Sequence, residues 1–528
     1  MKTIKRIFLL FSIMIASTGL LQAQQKTLDE EIRELGEMMR LQKESMNRPA
    51  DAVIRTDTAS KELRPDTIVR PVEAHPDTLA EPEKPIIEKF NFENKWSLEK
   101  CIRYAIEHNI NIKRLQLQQQ EAEIQYNTAT NSRLPNLNAS IDQEWNSSPQ
   151  RNLQGVYENW NQSRFSVNIQ SEIPVFTGFR IPNQIAYRKL EINVAVQNLE
   201  KAKEDLSLNI TSLFLQVLFA KELQNINEKQ LELSKTQVGR TQLLIQAGSI
   251  PKSQLYDIEA QVAKDEVAVV NSQNALDLAL LDLAQSLELE RNINFDIFIP
   301  DFSEDVIARY QKSLQLPDVI YEKALNIKPV ILGQEAKVLS SAKALNVAKA
   351  GYYPQLYFSL GIGTFYNYVF KPKEQINPLT NKPILLNPPF ADQISEYGSR
   401  LVGLHLSIPV FNRFEVRNQV RSAQINIYDQ QLILENNKKT LYKEIQTAYK
   451  NATGAQEKYR ASSRAVKAAS ESFDYIRKHY ELGKATVFEF NEARTRYIQS
   501  LSEQVQAKYE FILRTKILDF YNGIPISL

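Results

Sequence analysis

Cysteine is nearly absent from this chain: Cys101 is the only one in 528 residues. That excludes a disulfide framework and a cysteine-based metal site, and Cys101 lies too far along the chain to accept a lipid at a mature N-terminus. Histidine is scarce too, with four residues at positions 75, 108, 405 and 479 that share no ligand spacing. A catalytic centre has little to be assembled from, so neither enzyme activity nor a metal or other cofactor is expected. An excess of one charge is missing too. The 64 basic residues are interspersed with 62 acidic ones, for a net charge of +2, and nucleic acid is not an expected partner. Glycine is rare, at 15, and long stretches hold no proline, which is a helical composition. Gly361 and Gly363 stand inside an alternating segment, not at a strand-to-helix turn, and do not read as a nucleotide loop.

What is present begins with Lys2, Lys5 and Arg6 ahead of an apolar run from Ile7 to Ala16, then small and polar residues up to Ala23 and Gln24. This is the layout of a secretory signal over residues 1–23. An uncleaved anchor is the alternative, but the run falls short of the ~20 apolar residues that a spanning helix needs. Residues 24–95 read as a leader: a short charged helix from Gln25 to Met46, then a segment rich in Pro, Asp, Thr and Glu with little to bury. A solvated spacer is the expected role, with a tether or partner-binding tail as the alternative.

The rest of the chain is written twice. The segment from Ile173 to Ile185 is answered by the one from Ile408 to Val420, with seven identities in thirteen positions at an offset of 235. The same offset carries Gly248 onto Gly483, whereas upstream the offset is 219 and carries Ala105 onto Ala324 and Pro135 onto Pro354. An insertion of 16 residues therefore sits between Pro354 and Pro409. Repetition at a fixed period makes each copy one structural unit, here residues 96–291 and 318–528, joined by a connecting segment over 292–317.

Each copy predicts a helix of about thirty residues (Leu98–Ser132, Val319–Lys349) stopped by Pro135 or Pro354. Strict alternation follows: Phe165, Val167 and Ile169 between Ser166, Asn168 and Gln170, and likewise Leu356, Phe358, Leu360 and Ile362, then Val402, Leu404 and Leu406. Period two gives strands with one apolar and one polar face. Pro174 and Pro409 are expected to end them. Long helices then run towards Gly248 and Gly483, roughly 100 Å each at ~1.5 Å per residue. Their seams, Leu206, Ile210, Leu213, Val217 and Ala220, and Leu441, Ile445, Ala448, Ala452 and Ala455, have coiled-coil spacing. The two glycines turn the rods, and shorter helices return from Ser253 and from Val487.

Four half-apolar strands cannot close on themselves, and a sheet in hydrocarbon must have no free edge. Several chains giving four strands each to one barrel is the smallest remedy; three would give twelve. A coiled-coil surface protein or spacer is the rival reading, but it has no reason to make one face of four strands apolar.

Residues Trp96 to Ala105 with Asn109, the Leu134-Pro135-Asn136-Leu137 segment, the two Ile-Pro-Val-Phe segments and the two glycine turns together resemble the TolC-type outer-membrane efflux factors. The resemblance implies a mainly α fold with a membrane β-barrel portion: a homotrimer with a twelve-stranded barrel in the outer membrane of a Gram-negative bacterium and a helical coiled-coil barrel in the periplasm. It also implies a passive exit duct for small molecules, or alternatively for type I protein secretion, contacting outer-membrane lipid, a periplasmic adaptor and an inner-membrane pump. The family's tip pattern is a Gly with acidic residues six and nine positions later and a Tyr three before; it falls on Gly483, Glu489, Glu492 and Tyr480, which makes these the implied periplasmic gate. The family's Arg two positions after that Gly is Ala485 here, and position six beyond Gly248 is Gln254, with Asp257 either a substitute acidic residue or a partner of the helix N-terminal dipole.

Overall fold

The computed structural model describes residues 95–151, 157–248, 250–289, 295–300, 302, 307, 314–371, 375–376, 383–384, 387–482 and 484–526. The expected signal segment, nearly all of the leader, Gly483 and the 377–382 part of the insertion lie outside them.

The first copy opens with α1 (Leu98–His108) and α2 (Ile110–Asn131), the second with α5 (Pro317–Ile327) and α6 (Pro329–Lys349). The single long helix expected in each copy is thus broken, for local reasons. At Asn109 the backbone is extended (ψ 127) and the side chain accepts hydrogen bonds from the Asn111 and Ile112 amides, capping α2. At Lys328 the following Pro329 forces an extended residue and then starts α6 at its first position.

Four strands form one antiparallel sheet in the order β1 (Asn138–Arg151), β2 (Tyr157–Phe176), β3 (Gln355–Val369) and β6 (Ser399–Ser407). Between β3 and β6 lie a small hairpin, β4 (Gln375–Ile376) with β5 (Pro383–Ile384), and a short helix, α7 (Phe390–Glu396). β6 stops before Pro409, but β2 runs on past Pro174 to Phe176. Pro174 therefore does not end its strand; the ladder tolerates it because the register shifts there by a bulge between Pro174 and Phe176.

The two long helices, α3 (Arg180–Gln246) and α8 (Glu415–Glu481), have 67 residues each and start alike. Phe179 and Phe414 both sit at φ 63, ψ 13 before the first turn, and each packs edge-on against the Phe three residues earlier. Returning helices α4 (Ser253–Ser286) and α9 (Val487–Tyr521) complete two hairpins. Gly248 takes φ +75 and its amide bonds the Ile245 carbonyl, the left-handed cap that only glycine adopts without strain. Along the seams Ile210, Val217, Ala220, Leu441, Ile445, Ala448, Ala452 and Ala455 are all buried. The main apolar core gathers Trp96, Cys101 and Ala105 with Ile210, Phe214 and Leu218 of α3, Leu283 of α4 and Ile512 of α9. Ile297 of the connecting segment adds a single parallel bridge to Trp96. Burial pushes the Cys101 thiol up to about 12, so it is an inert core residue.

Candidate functional site: the hairpin tips and the sheet

At the second hairpin the contacts are local apart from Glu481, which pairs with Arg240 of α3 at 3.6 Å. Tyr480 stacks on Phe490 with ring centroids 4.8 Å apart, and Phe490 also packs against Phe473, which ties the end of α8 to the start of α9. Thr486 caps α9: its hydroxyl accepts from the Glu489 amide at 3.2 Å, and the Glu489 carboxylate takes the Thr486 amide at 2.7 Å and its hydroxyl at 2.9 Å. This reciprocal capping box holds the Glu489 carboxyl below the usual carboxylate range, chiefly through the backbone hydrogen bond from Thr486. Glu492, one turn on, pairs with Arg496 at 2.7 Å on the exposed face. Asp257 is exposed near the start of α4 of the other hairpin. The structure thus brings Tyr480 and Glu489 together at the α8–α9 turn and sets Glu492 one turn above. Each carboxylate on α9 also has a local structural employment.

Sequence reasoning missed a buried polar cluster that joins the hairpins. Arg494 on α9, 3% exposed, donates to Ser234 Oγ of α3 at 2.9 Å and to Asp265 Oδ2 of α4 at 3.2 Å. Ser234 also donates to Asp265, and Gln261 holds the other carboxylate oxygen at 2.9 Å. With its amide turned, Gln230 gives its oxygen to the guanidinium, at 2.7 Å from Nε. Burial pulls the Arg494 pKa down while the Asp265 carboxylate opposes it. The available signal was a charge inside an apolar stripe: Phe490, Arg494 and Val505 are all buried on α9.

At the other end the sheet has two unlike faces. Residues paired across strands share a face, which places Ile141 and Trp145 with Val167 and Ile169, with Phe358, Leu360 and Ile362, and with Val402, Leu404 and Leu406. The opposite face carries Asp142 and Glu144, Ser166 and Asn168, Gly361 and Gly363, Gly403 and His405. Among the described residues Phe390 of α7 covers this apolar face at Phe165 and Tyr366, but elsewhere it is open: Val402 and Leu404 are each 69% exposed. In water such a patch marks an interaction surface; on alternating strands it has the pattern of a barrel wall facing lipid.

The profile of the family described as outer membrane efflux protein matches residues 101–288 and 320–516, one match on each copy of the repeat. The chain belongs to the outer membrane efflux protein family. Among curated proteins it is 22% identical over 319 residues to outer membrane protein TolC of Salmonella enteritidis, covering 59% of each chain. It is 25% identical over 119 residues to TolC of Escherichia coli K12, covering 22% of this chain and 24% of that one. The matched segments thus span well under two thirds of these relatives. The fold is that of the CusC crystal structures, described as undergoing conformational changes with folding and transmembrane channel formation: TM-score 0.65, 16% identity, 82% of this chain and 94% of that one.

Proposed function

We propose that the protein is the outer-membrane exit duct of a tripartite efflux system, a passive trimeric channel-tunnel for small molecules. The observation that carries this reading is a set of surfaces left open among the described residues. Helix α2 exposes Ile110, Leu117 and Ile124 in a heptad stripe, at 68%, 64% and 64%. Their counterparts at the offset of 219, Pro329, Ala336 and Lys343 of α6, are buried, and α6 packs against both α3 and α8. Helix α2 packs against α3, and among the described residues its second flank is open. The complementary surface is on α8, where Ile425, Tyr428 and Leu432 are exposed. The α3 counterpart of Leu432 is Gln197, which packs on Gly333 of α6, a Cβ there meeting it at 3.0 Å. An α8 from a second copy against α2 repeats inside the assembly what α3 and α6 do inside the chain, and the open sheet edges close in the same step.

Within this reading the apolar sheet face meets outer-membrane lipid, and the hairpin tips face the periplasm, where an adaptor and an inner-membrane pump dock. Glu489 and Glu492, with Tyr480 beside them and Asp257 on the other hairpin, then ring a constriction. A crowd of carboxylates on a narrow pore draws cations over the ~10 Å Debye length at 0.1 M salt. Two measurements test this. Detergent-extracted protein should run as a trimer from the outer-membrane fraction; a stable monomer, or recovery from the soluble periplasm, sinks the assignment. In planar bilayers the Glu489→Gln/Glu492→Gln double variant should lose cation preference and block by multivalent cations; unchanged conduction makes these residues a helix cap and a surface pair only.

A further inference from the structure

The internal repeat specifies more than the number of partners: it sets the register in which two copies of the sheet meet. We infer that β6 of one copy pairs antiparallel with β1 of the next so that Ser399 opposes Ser148 and Ser407 opposes Ser140, and that the ladder is stopped at Pro149. The inference rests on the trimer reading above and adds the residue pairs.

The register follows from pairing already present in the chain. β6 is the counterpart of β2 at the offset of 235, and β1 is the counterpart of β3 at 219. The observed β2–β3 pair Asn168–Gly363 therefore maps onto Gly403 with Glu144 of the next copy, and the whole of β6 falls on residues 140–148. Those residues lie inside β1, Asn138–Arg151. The faces agree without adjustment: Leu406 meets Ile141, Val402 meets Trp145, and the polar face continues through His405 with Asp142. A slip of one residue would turn every apolar side chain to the polar face.

The direction of the backbone groups agrees as well. On β3, Asn367 sets the phase of the alternation: its amide and carbonyl point away from β2, the amide donating to Gln393 Oε1 at 2.9 Å and the carbonyl accepting from Gln393 Nε2 at 3.1 Å. Phe370, three residues on, points the other way and bonds Asn161 of β2. Alternation along the antiparallel sheet then leaves the even-numbered residues of β6 and the odd-numbered residues of β1 facing outwards. Leu406 with Ile141, Leu404 with Gln143, Val402 with Trp145 and Arg400 with Ser147 are thus the hydrogen-bonded pairs of the seam. The next outward-facing residue of β1 is Pro149, which has no N–H to give.

On the β6 side the strand ends at the matching height. Where β2 continues through Tyr157 to Asn161, the equivalent residues Asp392 to Glu396 form α7. The β3 edge left bare by this change is not free. Gln393, 1% exposed, serves both backbone groups of Asn367, and Asn387 serves both of Val369, its Oδ1 taking the amide at 2.8 Å and its Nδ2 reaching the carbonyl at 2.9 Å. Two side-chain amides stand in for the missing strand. The edge is closed to edge-to-edge pairing, and the seam is confined to the nine residues of β6.

The test uses the full-length chain with Cys101→Ser, which removes its only thiol. Leu401→Cys and Asn146→Cys together place thiols on a non-hydrogen-bonded, polar-face pair of the seam. Opposed residues are about 4.5–5.5 Å apart and diagonal ones about 7–8 Å. Mild oxidation should therefore link this pair into covalent dimers and trimers several-fold faster than Leu401→Cys with Glu144→Cys or with Ser148→Cys. As a folding control, Glu172→Cys with Ser359→Cys, opposed within the chain, should close an internal disulfide. With that control closed, a trimer that cross-links faster at either off-register pair, or at none, overturns the register while leaving the trimer standing. A particle of monomer mass overturns both.

Discussion

Helices α3 and α8 are equal in length, enter from the same left-handed Phe and descend to a hairpin turn, yet they live in different surroundings. The upper part of α3 is covered by α2 and α6; the upper part of α8 meets α6 on one side and presents Ile425, Tyr428 and Leu432 to solvent on the other. Local sequence makes the two rods alike. What differs is which neighbours belong to the same chain, and that difference points to an assembly.

The largest expected effect falls where the hairpins are joined in one chain. Arg494→Ala leaves Asp265 and Ser234 buried without their cation, and truncating one partner of a buried pair costs about 3–5 kcal/mol. Arg494→Met together with Asp265→Leu should recover much of it, because no charge is then stranded. Chemical unfolding of the purified protein checks both; an Arg494→Ala midpoint unchanged from the parent means that the cluster is not a joint.

Next comes the exposed flank of α8. Ile425→Asp with Leu432→Asp should abolish assembly while far-UV helix content is kept, since burying each aliphatic side chain contributes about 1.5–3 kcal/mol. Particle mass in detergent is the readout. An oligomer mass unchanged from the parent would show that this flank is not an interface.

A smaller effect separates the two entry turns. Gly178 and its counterpart Arg413 both have positive φ, 63 and 53. At Gly178 a Cβ would sit 2.7 Å from the Ala350 carbonyl oxygen and from Tyr353 Cβ. Gly178→Ala should therefore cost about 1–2 kcal/mol or more, from the left-handed backbone plus the clash. Arg413→Gly should be neutral or stabilising by up to about 1 kcal/mol. Melting temperatures of the two variants moving in the same direction would contradict the contrast.

The smallest concerns the α9 cap. Because the folded Glu489 pKa lies below its ordinary value, its stabilisation is fully present above the ordinary carboxylate pKa and is lost as pH falls through the lowered one. Amide exchange at Thr486 and Glu489, corrected for intrinsic rates, should report fraying of the α8–α9 turn at acid pH, and Glu489→Gln should remove most of that dependence.

Much of the fold was legible in the sequence because it is written in local rules. Period-two alternation marked the strands, Gly248 marked a turn that needs positive φ, and the seam residues marked the packed side of each rod. The breaks at Asn109 and at Lys328–Pro329 are equally local, a cap and a pre-proline residue, although Pro135 and Pro354 alone were expected to stop these helices. Pro174 misled for a different reason: a proline forbids one ladder bond, and a bulge absorbs it without ending the strand. Of the candidate site, the spacing of Glu489 and Glu492 from the glycine could be counted, and so could the two local patterns that employ them, the Thr486-x-x-Glu489 capping box and the Glu492–Arg496 pair four residues apart. What could not be counted is the Arg494 cluster, whose partners lie on other helices.

By itself, then, the sequence determined two copies of one unit, strands with a single apolar face and rods with a coiled-coil seam, since backbone preference and periodicity act between near neighbours. Only the tertiary structure decided that Arg494 reaches Asp265 and Ser234, that Gln393 and Asn387 complete the β3 edge, and that α2 and α8 are left with open flanks. Those facts depend on residues far apart in the chain meeting in space, where a side chain's partner is chosen by packing and by the cost of burying an unpaired polar group.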